Sequence, residues 1–387
     1  MFEQELEELA KRNLTRRLFS RRSAQGNIVN IEGKEYINFS SNDYLGFAAR
    51  SEIVESLKTA AEIYGFGSGA SRLLAGGTDL HRQLEEEVAE FKNTESSLAF
   101  NSGYAANTGI IPALAASGDA IFSDALNHAS IIDGCRLSHA RTFIFRHKDT
   151  EHLDLLMRSE PAGRRLVVTD SVFSMDGDVA PLNEIYEICL RYDALLYIDD
   201  AHGTGVLGKG RGALSHFNIK PDPRVIQMGT FSKALGSFGA FAAGTTVITE
   251  WLVNTARSFI FSTALPACVI SASLAAVDLL KRDTKPLKML WSNREMLAAE
   301  LGAIGYDTMG SETPIIPVRI GNTAATIAMA EFLLQNGIYA PAIRPPSVPE
   351  PRIRLTVSAA HTEDQIGLLV DLMKKFRGRG NYSEGIK

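Results

Sequence analysis

The sequence predicts an α/β protein with a mostly parallel central sheet, helices on both faces and a smaller α+β domain at the carboxyl end. From about residue 96, short apolar runs such as SLAF, AIFS, RLVVT and ALLYI alternate with helical or polar segments. Strands buried on both faces of a parallel sheet have this continuous apolar character. Near residue 285 the alternation gives way to long helices and further strands, which indicates a second domain.

These changes of pattern predict three segments: an N-terminal helix and hairpin over 1–45, a large domain over 46–285 and a small α+β domain over 286–387. The leucines of 1–20 recur at helical spacing, so we expect an amphipathic helix there. The Gly-rich segment 65–77 is predicted to form a functional loop, because glycine disfavours a helix.

Composition excludes several classes of protein. The chain has 387 residues, 45% of them hydrophobic, and a net charge of -5, which gives no reason to expect nucleic acid or an anionic membrane as partner. It has no apolar run long enough to span a membrane, and its charged N-terminus does not resemble a secretory signal. The widely spaced Cys135, Cys189 and Cys268 suggest reduced thiols and a cytoplasmic location, and no metal site is predicted.

Polar residues follow four of the predicted strands, at 101–103, 169–171, 199–202 and 230–233. Ligands of open α/β sheets bind at the carboxyl ends of the strands, so these segments are the candidate site. The neighbouring GxGxxG at 203–208 would favour a nicotinamide oxidoreductase. No helix is predicted after it to supply an anion site, so we treat that alternative as the weaker one.

Three of these side chains suit imine chemistry. Lys233 lies among small residues after a strand, where desolvation would lower the pKa of its amine and make it a Schiff-base candidate. Asp199 emerges from a buried strand and needs a partner, such as a protonated pyridine nitrogen, although Asp200 competes for that role. His202, three residues on, could donate a hydrogen bond to the same ligand.

A phosphate and an aromatic ring could be held nearby. Gly103 and Tyr104 begin a predicted helix after the N-cap candidate Ser102, so their backbone N–H groups could face an anion. His128 follows another strand and could stack on a flat ring, or could simply be a histidine at the start of a helix.

Taken together, these motifs resemble the α-oxoamine synthase family of fold-type-I pyridoxal-phosphate (PLP) enzymes over nearly the whole chain. The resemblance is carried by 38–46, 67–72, 127–130, 172–178, 199–205 and 230–233. It implies that PLP is the cofactor and Lys233 is its Schiff-base lysine and the base for the substrate Cα proton. The implied cofactor contacts are Asp199 at the pyridine nitrogen, His202 and Ser174 near the phenolic oxygen, His128 on the ring, and Gly103, Tyr104 and Thr230 at the phosphate.

The resemblance also implies the substrate contacts. Arg354, helped by Asn42, would bind the substrate carboxylate, and Thr356 would lie near the acyl chain. Arg17 is favoured over its neighbours as an N-terminal substrate arginine. Ser262 and Thr263 would reach the phosphate of a partner subunit, which implies a homodimer with its active site at the interface.

Within the family, segments 342–349 and 352–361 look most like the member that condenses L-alanine with a pimeloyl thioester, with loss of carbon dioxide, in biotin synthesis. The thioester could be carried by coenzyme A or by an acyl-carrier protein. The alternatives are glycine-using relatives of the 2-amino-3-ketobutyrate ligase or 5-aminolevulinate synthase type. A scaffold without activity is disfavoured by the intact Lys233, Asp199 and His202.

Overall fold

A computed structural model describes residues 2–12, 14–160, 162–345 and 347–378. Its strands, in chain order, are β1 (Ile28–Ile31), β2 (Lys34–Asn38), β3 (Ser96–Phe100), β4 (Ala120–Asp124), β5 (Arg141–Phe145), β6 (Arg165–Asp170), β7 (Leu195–Asp199), β8 (Val225–Thr230), β9 (Ala240–Gly244), β10 (Ile315–Arg319), β11 (Ile338–Tyr339), β12 (Ala342–Ile343) and β13 (Arg352–Thr356). 

The helices are α1 (Phe2–Lys11), α2 (Ser51–Tyr64), α3 (Asp79–Lys92), α4 (Gly103–Leu114), α5 (Ala129–Leu137), α6 (Thr150–Ser159), α7 (Leu182–Arg191), α8 (Ala213–His216), α9 (Thr246–Thr255), α10 (Arg257–Ile260), α11 (Ala267–Arg282), α12 (Lys285–Ala303), α13 (Thr323–Gln335) and α14 (Glu363–Arg377). Segment 65–77 lies between the end of α2 at Tyr64 and the start of α3 at Asp79, and it forms a loop, as predicted.

The central sheet has seven strands in the order β3-β9-β8-β7-β6-β4-β5, and every neighbouring pair is parallel except the two that involve β9. Successive residues of a strand point to opposite faces. On β7, Leu196 therefore packs into one apolar core and Tyr197 into the core on the other face. This doubly covered sheet explains the continuous apolar runs and confirms the predicted fold class.

The carboxyl part of the chain builds a separate three-stranded antiparallel sheet in the order β10-β13-β12. It shares a third apolar core with α12, α13 and α14. The N-terminal hairpin β1-β2 is predicted correctly, and β2 also pairs in parallel with β11, so this hairpin joins the carboxyl part. The three domain boundaries stay a prediction.

The predicted N-terminal helix over 1–20 is wrong in length, because α1 ends at Lys11. None of its residues is buried, so no packing extends the helix further. The chain beyond residue 14 instead runs toward the carboxyl part, where Arg344 Nη2 donates to the Thr15 carbonyl at 2.7 Å. Among the described residues, no helix is long and apolar enough to cross a bilayer.

Candidate active site

The polar strand ends predicted from the sequence meet at one edge of the central sheet. Asp170 at the end of β6 pairs in register with Asp199 at the end of β7, and Asp199 pairs with Met228 of β8. Lys233 follows β8 by three residues. Because parallel strands end at the same edge, this register brings the acids and the amine together at one edge of the sheet.

Lys233 is half-buried and makes no side-chain hydrogen bond or ion pair within the described part of the chain. Burial lowers the pKa of its amine to about 8, against the opposing effect of the charges of Asp199 and Asp170. A substantial fraction of this amine is therefore neutral near physiological pH. A neutral, unpaired amine can attack a carbonyl or accept a proton.

Asp199 and Asp200 have different environments. The Asp199 carboxylate accepts from Asn107 Nδ2 at 2.8 Å and from the Ala201 backbone N–H at 3.0 Å. Asp200 forms a buried ion pair with Lys92 at 2.8 Å and also accepts from the Ser171, Thr204 and Ala213 donors. The Asp200 carboxylate is thus already bound by protein groups, and Asp199 remains the residue that we propose for the pyridine nitrogen.

Asp170 is a third buried acid, and the sequence assigned it no role. It accepts a hydrogen bond from the His128 backbone N–H at 2.7 Å. Burial, together with the negative charge of Asp199, raises the pKa of Asp170 well above its usual range. Asp170 therefore binds a proton more readily than an exposed aspartate, which lessens the repulsion between two negative charges at the strand ends.

His202 is buried, and its Nδ1 shares a hydrogen bond of 2.7 Å with the hydroxyl of Tyr44. Burial lowers its pKa well below the usual range, and the cations of Lys233 and Arg354 lower it further. The ring is therefore neutral and held by Tyr44, a contact that sequence analysis did not foresee. Its other nitrogen makes no hydrogen bond within the described residues.

His128 lies at the N-cap of α5, and its partly buried ring interacts with the charges of Asp199 and Lys233. Its Nδ1 contacts the Ser130 hydroxyl at 2.7 Å. This contact orients the ring, and its stacking on a flat ligand stays a prediction.

The predicted phosphate site combines a helix start with a strand end. Ser102 caps α4 by accepting from the Ala105 N–H at 3.1 Å, so the N–H groups of Gly103 and Tyr104 lie in the first turn. Thr230 at the end of β8 donates to the Gly239 carbonyl at 2.7 Å and accepts from the Ser232 N–H at 3.1 Å. These elements suit an anion, because first-turn N–H groups have no partner inside the helix.

Arg354 is a buried guanidinium that no carboxylate pairs with among the described residues. It donates to the Ser174 carbonyl at 2.5 Å, to Thr356 Oγ1 at 2.9 Å and to Asn42 Oδ1 at 3.2 Å. Burial lowers its pKa, and an interaction with Tyr44 opposes that effect. A buried cation held only by neutral oxygens is prepared for an anionic ligand.

Arg352 occupies the same strand and provides the contrast. It is 2% exposed and pairs with Asp176 at 2.5 Å, in addition to bonds with the backbone carbonyls of Glu350 and Met175. Its charge is therefore already compensated by the protein.

Arg17 lies on the surface, away from any contact with the strand-end residues. It pairs with Glu32 at 2.9 Å, and 70% of its side chain is exposed. It lines a cavity of about 530 Å³ between residues 14–19 and α13. Its role toward substrate stays a prediction.

Ser262 and Thr263 lie beside the end of β3. The Thr263 carbonyl accepts from Asn101 Nδ2 at 2.9 Å, and Thr263 forms an antiparallel bridge with Ser71 of the Gly-rich loop.

The segment 203–208 after β7 forms turns and continues into a short 3-10 turn, Gly208–Gly210. Its GxGxxG pattern therefore does not begin a helix, as a dinucleotide site requires.

The residues gathered at this edge of the sheet fit PLP by their chemistry. They offer an unpaired amine of lowered pKa, a carboxylate at a strand end, a neutral histidine held by Tyr44 and a helix start beside Thr230. Lys233, Asp199, His202 and α4 are the parts that would contact the imine carbon, the pyridine nitrogen, the phenolic oxygen and the phosphate.

Comparison with known proteins agrees with this chemistry. Residues 34–372 match the model of the aminotransferase class I and II family, so the chain belongs to that family of PLP-dependent enzymes. The 8-amino-7-oxononanoate synthase of Geobacter metallireducens is 50% identical over 378 residues, with 96% of each chain covered. That of Geobacter sulfurreducens is 47% identical over 377 residues, again with 96% of each chain covered.

Solved structures share the fold over most of the chain. Serine palmitoyltransferase of Sphingomonas wittichii has a TM-score of 0.92 and 30% identity, covering 98% of this chain and 96% of its own. The 8-amino-7-oxononanoate synthase of Francisella tularensis has a TM-score of 0.78 and 29% identity, covering 89% and 98%. The prediction of a PLP-dependent enzyme is therefore confirmed.

Proposed function

We propose that this enzyme condenses L-alanine with a pimeloyl thioester and releases carbon dioxide, the free thiol and 8-amino-7-oxononanoate, a step of biotin synthesis. The names of the relatives that are 47–50% identical over nearly the whole chain support these substrates. The structural observation that carries the proposal is Arg354, a buried cation without a carboxylate partner among the described residues.

The carboxylate of alanine is the anion that Arg354 would receive. A guanidinium can hold a carboxylate through two parallel hydrogen bonds, which fixes the direction of the amino acid as well as its position. Arg354 Nη1 donates to Thr356 and Nη2 donates to Asn42, and these two bonds restrain rotation of the guanidinium. The carboxylate would thus be bound while the Cα proton faces Lys233.

When bound, PLP supplies the electron sink that stabilises negative charge on the substrate Cα. The Lys233 amine takes the Cα proton at Nζ, holds it, and returns it to Cα after carbon dioxide has left. Its pKa of about 8 suits both directions of transfer near neutral pH. Asp199 would keep the pyridine nitrogen protonated, and His202 would donate to the phenolic oxygen.

The proposal includes a homodimer. The segment around Ser262 and Thr263 exposes large apolar side chains: Phe261 is 71% exposed, and Phe66 and Leu74 of the Gly-rich loop are 77% and 81% exposed. A second copy covering these side chains would remove them from water and bring Ser262 and Thr263 to its phosphate site. We also propose a cytoplasmic location, in which the buried thiols of Cys135, Cys189 and Cys268 would stay reduced.

A product assay tests the proposal. Purified enzyme with PLP is given alanine, glycine or serine against pimeloyl, acetyl, succinyl and palmitoyl thioesters, while thiol and carbon dioxide are measured. We expect the highest kcat/KM for alanine with a pimeloyl thioester. Glycine should be a poor substrate, because one methyl group is worth only about 1–3 kcal/mol in a pocket. Faster turnover of glycine with acetyl or succinyl thioester would overturn the substrate assignment.

A further inference from the structure

Asn107 connects two parts of the cofactor site that otherwise look independent. It lies on α4, is 1% exposed, and has a side-chain amide surrounded by polar partners. Its Nδ2 donates to Asp199 Oδ2 at 2.8 Å and to Ser130 Oγ at 2.8 Å, while its Oδ1 accepts from the Tyr197 hydroxyl at 2.6 Å. Both amide hydrogens are therefore donated, one to Asp199 and one to Ser130.

The orientation of this amide follows from its partners. A phenol has one hydrogen to give, and Tyr197 gives it to Asn107 Oδ1. A flipped amide would place Oδ1 against the Asp199 carboxylate, so that two acceptors would meet. Tyr197 and Asp199 are alternate residues of β7 and thus project to the same face of the sheet, which places phenol, amide and carboxylate in one row.

The row continues through Ser130 to His128. Since the Ser130 hydroxyl oxygen accepts from Asn107, its hydrogen is available for His128 Nδ1 at 2.7 Å. The Ser130 backbone N–H points to the same nitrogen at 3.3 Å. Two donors on Nδ1 require a lone pair there, so the ring proton sits on Nε2. Burial lowers the pKa of His128, with Asp199 opposing and Lys233 adding to that effect, which keeps the ring neutral.

We propose that Asn107 is a positioning residue that sets two properties of the site at once: the carboxylate orientation of Asp199 and the Nε2–H tautomer of His128. The inference rests on the proposed function, in which these two side chains hold the pyridine nitrogen and the ring face of PLP. Tyr197 acts indirectly, because its hydroxyl orients the Asn107 amide. Asp170 and Lys233 also interact electrostatically with Asp199.

Three variants separate the two arms of this row, and a fourth serves as the control. Asn107→Leu keeps the volume and removes the amide, Ser130→Ala cuts only the arm to His128, and Tyr197→Phe removes only the orienting hydroxyl. The matched control is Asn293→Leu, which removes another buried amide that donates twice, to the carbonyls of Ser358 and His361.

Two measurements report the two properties. Long-range ¹⁵N NMR of histidine-labelled apoprotein gives the tautomer of His128. The visible absorbance of the PLP-loaded protein, titrated with pH, reports the charge around the pyridine ring. We expect Asn107→Leu and Ser130→Ala to turn a single Nε2–H tautomer into a mixture. Only Asn107→Leu, and more weakly Tyr197→Phe, should move the absorbance midpoint, by about one to two pH units for one lost hydrogen bond to a charged group.

The inference is overturned if Asn107→Leu keeps the wild-type His128 tautomer and the wild-type absorbance midpoint. In that case the variant would lose only thermal stability, as the control Asn293→Leu does. If Asn107→Leu does not fold, unchanged readouts in both Tyr197→Phe and Ser130→Ala overturn the inference equally. Failure of the proposed function looks different: the product assay would then favour another amino acid or thioester, while the His128 tautomer and the absorbance midpoint would still respond to Asn107→Leu.

Discussion

Replacing Arg354 by lysine should weaken the binding of alanine selectively. The guanidinium is buried and already anchored by Ser174, Thr356 and Asn42, so the hydrogen bonds that it has left are those it offers to a ligand. Lysine keeps the charge but cannot copy the two-bond geometry. Losing one charge-assisted hydrogen bond of about 1.5–3 kcal/mol corresponds to a loss of roughly 10- to 150-fold in kcat/KM for alanine.

The assay is steady-state kinetics with each substrate varied in turn, measured by thiol release. We expect the KM for alanine to rise strongly and the KM for the thioester to change little. Arg352→Lys is the matched control, because Arg352 lies on the same strand but forms an ion pair with Asp176. That variant should lose thermal stability while keeping the KM for alanine. The opposite pattern, with Arg352→Lys raising the KM and Arg354→Lys only destabilising the protein, would refute the assignment.

Three further predictions follow from the site and its surroundings. Lys233→Ala should abolish turnover and the borohydride-reducible adduct with PLP, and peptide mapping that finds the adduct on another lysine would contradict this. Asp199→Asn should still bind PLP but lose most of its turnover, which absorbance and thiol release measure separately; near-normal activity would remove Asp199 from the proposed role. Burial opposes protonation of His147, but hydrogen bonds to Asp124 and Asp178 raise its pKa to about 9, so it binds its proton more tightly in the folded state. Its stabilising effect should thus be full below pH 6.5 and lost as pH rises through 9, measured as the Tm difference between wild type and His147→Gln; a difference that grows with pH would show that the sign is wrong.

The central sheet could be predicted from the sequence because its signal is local. Each buried strand is an apolar run, and each run ends in polar residues such as Asp199 and Thr230, so topology alone brings them together. The N-terminal helix was overestimated for the complementary reason. Leucine spacing predicts an amphipathic face, but only a packing partner stabilises that face, and Leu6 and Leu9 remain exposed.

The supporting contacts of the site could not be predicted, because they join distant parts of the chain. Tyr44 meets His202, Lys92 meets Asp200, and Asn107 meets Asp199. Asn107 lies on the helix that Gly103 and Tyr104 begin, yet nothing in the order of the residues shows that its amide turns toward β7. The same holds for Arg352 and Arg354, which differ in environment because Asp176 pairs with Arg352 and not with Arg354.

The pairing of β2 with β11 affects how the chain folds during translation. Ile37 leaves the ribosome early, but its parallel neighbour Ile338 is translated near the end. Until then the outer edge of β2 offers unsatisfied N–H and C=O groups to any other extended chain. Nascent chains that stall before β11 are therefore the ones for which we expect aggregation or chaperone capture, and a contact of such long sequence separation should form late in folding.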